Sequence, residues 1–316
     1  MLMDILLTNP DTPLQKIILP GVKNENVTVL LKRLDLTHPE ISGNKWYKLK
    51  YNLLFAKENG YETLLSFGGA YSNHIHALAA AGKLFGFKTI GIIRGEEHFP
   101  LNSTLQSASD NGMMIHYLDR KSYRKKDTDE INDALKKSFG NFYLIPEGGS
   151  NALAVKGCSE IVKSIDIHFD YLCAPCGTGG TLAGLICGCN NSKKIIGFPV
   201  LKGGQFLLKD ISELVYNFSG QYFSNWKLQT EYHFEGYAKV SSSLIKFIFE
   251  FEKLNKIELE PIYTGKMLFG IADLIRKNFF ESNSVIAVIH TGGLQGLKGM
   301  KMRYPSLFEF NNPVRA

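Results

Sequence analysis

Short runs rich in β-branched and aromatic residues alternate with segments of helical period along most of this chain, and that alternation limits the fold more than any other feature. Val27–Leu34, Thr63–Phe67, Lys88–Ile93, Met113–Leu118, Phe142–Ile145, Asp170–Ala174, Lys194–Val200 and Ser284–His290 read as strands. After the first of them, Trp46, Leu49, Leu53, Leu54 and Ala56 recur at helical spacing until Gly60 stops the helix. Further helices are expected near 73–85, 104–109, 127–138 and 152–165, onward from Leu182, and near 206–216, 241–254 and 266–279. Strands followed by crossover helices require parallel sheets covered on both faces, so the expected class is α/β, with open twisted sheets flanked by helices.

Composition narrows the function classes. At roughly 100–200 residues per domain, 316 residues make two domains or one large one. The 36 Lys+Arg and 30 Asp+Glu leave a net charge of +6, far from the clustered basic surface of a nucleic-acid binder. One basic cluster, Arg120, Lys121, Arg124, Lys125 and Lys126, reads as a solvated loop, with an anion-attracting rim as the alternative. No stretch approaches the ~20 apolar residues of a membrane-spanning helix. The apolar opening Met1–Leu7 is broken by Asp4 and lacks the basic flank of a signal peptide, so a soluble cytoplasmic protein is expected. Five cysteines cannot all pair, and Cys173 and Cys176 have no second pair at zinc-ligand spacing; they read as small core residues.

Three segments carry chemistry. Cys176-Gly177-Thr178-Gly179-Gly180-Thr181 follows a strand and opens a helix, where free amides attract an anion and glycines admit it closely. It is neither a P-loop nor Gly-x-Gly-x-x-Gly, and a tight strand-to-helix turn is the plainer reading. Ser42-Gly43-Asn44-Lys45 puts a lysine at a helix start, where the macrodipole tends to lower its pKa, as a Schiff-base amine requires; alternatively Lys45 is a surface charge. Ser66-Phe67-Gly68-Gly69-Ala70-Tyr71-Ser72-Asn73-His74 sets a hydroxyl and an amide at a helix mouth, for capping or for contact with a ligand.

With Glu147-Gly148-Gly149-Ser150-Asn151, these segments resemble fold-type II pyridoxal-phosphate (PLP) enzymes. Lys202-Gly203-Gly204, Glu260-Pro261-Ile262-Tyr263-Thr264-Gly265-Lys266 and His290-Thr291-Gly292-Gly293 resemble one branch, the 1-aminocyclopropane-1-carboxylate (ACC) deaminase/D-cysteine desulfhydrase family. The match runs in the family's order from Lys32 to Gly293.

The resemblance implies two mostly parallel sheets, with PLP in the cleft between a large domain (1–45 and 152–316) and a small inserted one (46–151). It implies that Lys45 holds PLP covalently and moves a proton at the α-carbon, and that Asn73 bonds the ring oxygen. Gly177, Thr178, Gly179, Gly180 and Thr181 would bind the phosphate, and Ser72 the substrate carboxylate. Tyr263 would stand over the ring, with Tyr237 as the other active-site tyrosine. ACC deaminases carry a glutamate where this chain has Thr264, and leucine where it has Thr291. Two neutral hydroxyls do not hold a pyridinium as a carboxylate does. The expected reaction is therefore β-elimination, D-cysteine to pyruvate, ammonia and hydrogen sulfide. The alternatives are ACC ring opening, another D-amino acid such as D-serine or 3-chloro-D-alanine, and a PLP-binding protein without turnover. The family also implies a homodimer acting on a small amino acid.

Other residues have plainer readings. His74 and His76, two apart on a helix, share no face as metal ligands would, and no metal is expected. Phe247, Phe249 and Phe251, like Phe279-Phe280, read as core or interface packing.

Overall fold

A computed structural model describes residues 4–23 and 26–309; Met1–Met3 of the apolar opening lie outside the described residues. Among the described residues, ten strands form two sheets: β1 (Leu14–Lys16), β2 (Val27–Lys32), β3 (Thr63–Gly68), β4 (Lys88–Arg94), β5 (Met113–Leu118), β6 (Tyr143–Ile145), β7 (Tyr171–Cys176), β8 (Lys194–Pro199), β9 (Trp226–Leu228) and β10 (Ser284–Ile289). One sheet has the order β1-β2-β10-β7-β8-β9, the other β5-β4-β3-β6. Every pairing is parallel except β1 with β2. The α/β class with two mostly parallel, helix-flanked sheets is thus observed.

Register brings the chemistry-bearing turns together. Ile289 pairs with Lys32 and Val288 with Cys173, so β2, β10 and β7 end side by side. The segment leading to Lys45, the turn at Thr291 and the glycine-rich loop after Cys176 all leave from those carboxyl ends. In the other sheet Ser66 of β3 pairs with Ile145 of β6, so the turns reaching Ser72 and Ser150 are neighbours. Carboxyl ends of adjacent parallel strands are where open α/β sheets take ligands.

The helix Asn44–Glu58, carrying Lys45, joins the two halves. It packs against the helix Ala152–Lys163 so closely that a Cβ on Gly157 would lie 1.9 Å from the Tyr47 carbonyl oxygen. The helix Gly180–Cys189 is buried along most of its length, as its uninterrupted apolar sequence requires. Cys158, Cys173, Cys176 and Cys189 are buried, and burial raises each thiol's pKa.

Several boundaries differ from the sequence reading. β1 and β9 have three residues each, too short for a period to register. The basic cluster is no plain loop: Arg120–Tyr123 form a helical turn capped by Asp119, which accepts the Lys121 and Ser122 amides at 2.8 and 3.1 Å. Phe247 and Phe251 are buried on the helix Ser242–Asn255, while Phe249 meets Phe308 at 6.3 Å between ring centres. No helix among the described residues is long and apolar enough to cross a membrane.

Candidate active site

The segment before Lys45 needs glycine at 43. Its φ is +73°, and a Cβ there would sit 1.9 Å from the Thr291 carbonyl oxygen. That close approach fixes the start of the helix Asn44–Glu58 against the turn after β10, where the Asn44 amide donates to Thr291 O at 3.3 Å. Lys45 Nζ donates to Asn44 Oδ1 at 2.9 Å, and Asn44 Nδ2 donates to Thr181 Oγ1 at 2.7 Å. One asparagine therefore ties the lysine to the glycine-rich loop, across 137 positions of sequence. Burial first, and then the charge of Lys48, bring the Lys45 ammonium down to about 7. Helix position is not the main cause; desolvation is.

Lys48, one turn along the same helix face, is a candidate site residue the sequence reading missed. Its ammonium donates to Gly148 O at 2.5 Å and to Ser150 Oγ at 2.9 Å, and lies 3.5 Å from Thr178 Oγ1. Ser150 Oγ and Thr178 Oγ1 are 2.6 Å apart, which joins the turn after β6 to the loop after β7. Burial lowers Lys48 to about 8. No carboxylate among the described residues pairs with Lys45 or Lys48. A half-buried amine at Lys45 and a buried one at Lys48, beside a row of helix-start amides without a side-chain cap, make a site short of an anion.

On the far side of the loop stands Tyr263. A Cβ on Gly177 would come within 3.1 Å of its ring, so the loop backbone lies under the tyrosine. Tyr237 meets it edge-on, with ring centres 6.0 Å apart and planes at 71°. Burial, then the neighbouring Tyr237, raises the Tyr263 phenol well above its usual value, so it stays protonated. Glu260 holds this corner: its carboxylate accepts the amides of Ile262 at 2.7 Å, Tyr263 at 2.9 Å and Thr264 at 2.5 Å. Burial lifts Glu260 to about 7, against the pull of those three bonds. Lys266 donates to the carbonyls of His233 and Gly236, both at 2.8 Å, and so secures the loop that carries Tyr237. Thr264 is fully buried, and its Oγ1 has no hydrogen-bond partner.

The smaller sheet contributes Ser72 and Asn73. Ser72 caps the helix Asn73–Phe85, its Oγ accepting the Ile75 amide at 3.3 Å, which leaves the hydroxyl proton free to donate. Asn73 lies against the turn after β10: a Cβ on Gly293 would be 2.4 Å from its Nδ2. His74 is buried, with Nε2 2.9 Å from Ser66 Oγ and Nδ1 unpartnered. Burial, and then Lys45 and Lys48, hold it well below the usual histidine value, so it is neutral.

The structure thus links Lys45 to Thr181 through Asn44, Lys48 to Thr178 and Ser150, and Gly177 to Tyr263 and Tyr237. Thr291 meets Gly43 and Asn44, and Asn73 reaches Gly293 from the turn after β3, whereas Ser72 is engaged with its own helix start. Pyridoxal phosphate fits this set. The unpaired amines and helix-start amides suit its phosphate, the depressed amine its aldehyde, and the orphaned Thr264 hydroxyl its ring nitrogen.

Comparison with known proteins agrees. Residues 5–292 match the family described as pyridoxal-phosphate-dependent enzymes. A Pyrococcus abyssi protein provisionally named a 1-aminocyclopropane-1-carboxylate deaminase is 31% identical over 302 residues, covering 91% of this chain and 90% of its own length. The Arabidopsis thaliana mitochondrial bifunctional D-cysteine desulfhydrase/1-aminocyclopropane-1-carboxylate deaminase is 29% identical, over 92% of this chain and 78% of its own. A crystal structure of an ACC deaminase homologue superposes with a TM-score of 0.82 at 28% identity, covering 98% of this chain and 99% of that one. This chain belongs to the pyridoxal-phosphate-dependent enzymes, in the group of ACC deaminases and D-cysteine desulfhydrases, and its cofactor is pyridoxal 5'-phosphate.

Proposed function

We propose that this enzyme carries out α,β-elimination on a small D-amino acid, with D-cysteine and one water going to pyruvate, ammonia and hydrogen sulfide. The observation that carries the reading is Thr264: a neutral, buried, unpartnered hydroxyl stands where ACC deaminases resemble this chain but carry a glutamate. Bound pyridoxal phosphate supplies a sink for the electron pair left when a bond at the substrate α-carbon breaks. With the Thr264 hydroxyl as partner of the ring nitrogen, that sink would be weaker than with a carboxylate, and would still suffice for a leaving group as good as hydrosulfide.

The protein's own groups then divide the work. Gly177–Thr181 and Lys48 would hold the phosphate, and Asn73 the ring oxygen. Lys45, its ammonium lowered to about 7, would hold the aldehyde carbon and, once released, would take the α-proton on Nζ. Ser72 Oγ donates to the substrate carboxylate. Tyr263, kept a phenol by burial, offers its proton as a hydrogen bond to the departing sulfur, with Tyr237 holding its ring.

The names of the relatives favour a second reading, opening of ACC with water to 2-oxobutanoate and ammonia. Purified holoenzyme given D-cysteine, L-cysteine, D-serine, 3-chloro-D-alanine and ACC in turn, with keto acid and sulfide measured, decides between them. Sulfide and pyruvate from D-cysteine at the highest kcat/KM support elimination. 2-Oxobutanoate from ACC with D-cysteine inert replaces it with ring opening.

A further inference from the structure

Asn73 has a carboxamide with two unlike ends, and only its amino end serves a negatively charged ring oxygen. Gln295, in the turn after β10, settles which end that is. Its Nε2 donates to Asn73 Oδ1 at 2.8 Å, across 222 positions of sequence. With the oxygen engaged, the amino group is turned the other way, against the bare α-carbon of Gly293. No acceptor among the described residues takes a hydrogen from Asn73 Nδ2, so that donor is left for a ligand. Nor does any other protein donor reach Asn73 Oδ1 among the described residues.

We infer that Gln295 is a positioning residue: by donating to Asn73 Oδ1 it presents the Asn73 amino group, not its carbonyl, to the ring oxygen of pyridoxal phosphate. The inference rests on the reading that Asn73 faces that oxygen. Without the glutamine the carboxamide is free to turn over, and its carbonyl then meets an oxygen that carries negative charge. Gln295 touches neither cofactor nor substrate in this role, and it acts through Asn73 alone.

The test inverts the amide. A glutamate at 295 only accepts, so Gln295→Glu draws the Asn73 amino group toward itself and turns the carbonyl to the ring, whereas Gln295→Met removes the donor and keeps the shape. The readouts are the dissociation constant of pyridoxal phosphate from the apoprotein and the pH midpoint of the visible band of the lysine-bound cofactor. Gln295→Glu should weaken binding about 10-fold or more, and Gln295→Met by less, with both moving the midpoint in the direction that Asn73→Ala moves it. In an Asn73→Ala background, Gln295→Glu should add nothing, which also separates the inference from simple repulsion between the new carboxylate and the phosphate. Equal affinity and midpoint in wild type and Gln295→Glu overturn the inference. So does a loss that persists undiminished in the Asn73→Ala background. If Asn73→Ala alone leaves both readouts unchanged, the reading of Asn73 itself fails.

Discussion

At the scale of single residues, the amines of the Asn44–Glu58 helix set the behaviour of the site. Only the unprotonated amine attacks an aldehyde, and Lys45 loses its proton near 7 where an exposed lysine waits for about 10.5. Capture of pyridoxal phosphate by the apoprotein should therefore climb with pH up to about 7 and level off, a profile that stopped-flow absorbance follows directly. Lys48→Met should move that midpoint upward, since a like charge is removed, and should weaken cofactor binding about 10–100-fold through loss of the proposed phosphate contact. A single substitution also tests the choice of reaction. Thr264→Glu places a carboxylate where the ring nitrogen is expected; D-cysteine turnover should fall about 10-fold or more, and 2-oxobutanoate from ACC should rise. Keto-acid assays on both substrates report the two changes together.

Elements impose their own limits, because the side chains above are held by backbone that has little room to shift. Gly157→Ala would push a methyl group into the Tyr47 carbonyl and force the helices Asn44–Glu58 and Ala152–Lys163 apart. We expect a loss of about 3 kcal/mol in urea unfolding, with weaker cofactor binding as Lys45 and Lys48 move. Glu260→Ala leaves the amides of Ile262, Tyr263 and Thr264 without their acceptor at the head of the helix Thr264–Arg276. It should cost about 3–5 kcal/mol and lower kcat through a misplaced Tyr263. At this scale much was legible beforehand. The runs at 63–67, 170–174 and 284–290 announced strands because each has a mostly apolar centre, a polar residue at its start and a glycine within a few residues of its end. The glycine loop, Lys45 and the Ser72-Asn73 turn stood out because each interrupts such a run at a strand-to-helix junction. Lys48 did not, since nothing local separates it from the other lysines of its helix; only the fold brings Gly148 and Ser150 to it. Asn44 and Gln295 were hidden for the same reason, each finding its partner more than a hundred residues away.

On the scale of the whole molecule, the site belongs to neither sheet alone. Lys45, Thr181 and Tyr263 come from segments around the six-stranded sheet, whereas Ser72, Asn73, Gly148 and Ser150 come from turns of the four-stranded one. A ligand gripped from both sides binds the folded chain and not the unfolded one. Pyridoxal phosphate at about 100 times its dissociation constant should therefore add about 2.7 kcal/mol of stability, visible as a raised melting temperature that Lys45→Ala diminishes. The same argument sets what happens inside a cell. A crosspiece of that kind is not made by the chain that holds it, so newly made chains would compete for it. Those left without it open more often, and open chains are what proteases cut. Scarcity of the vitamin would thus thin out the protein itself, beyond silencing the copies that survive.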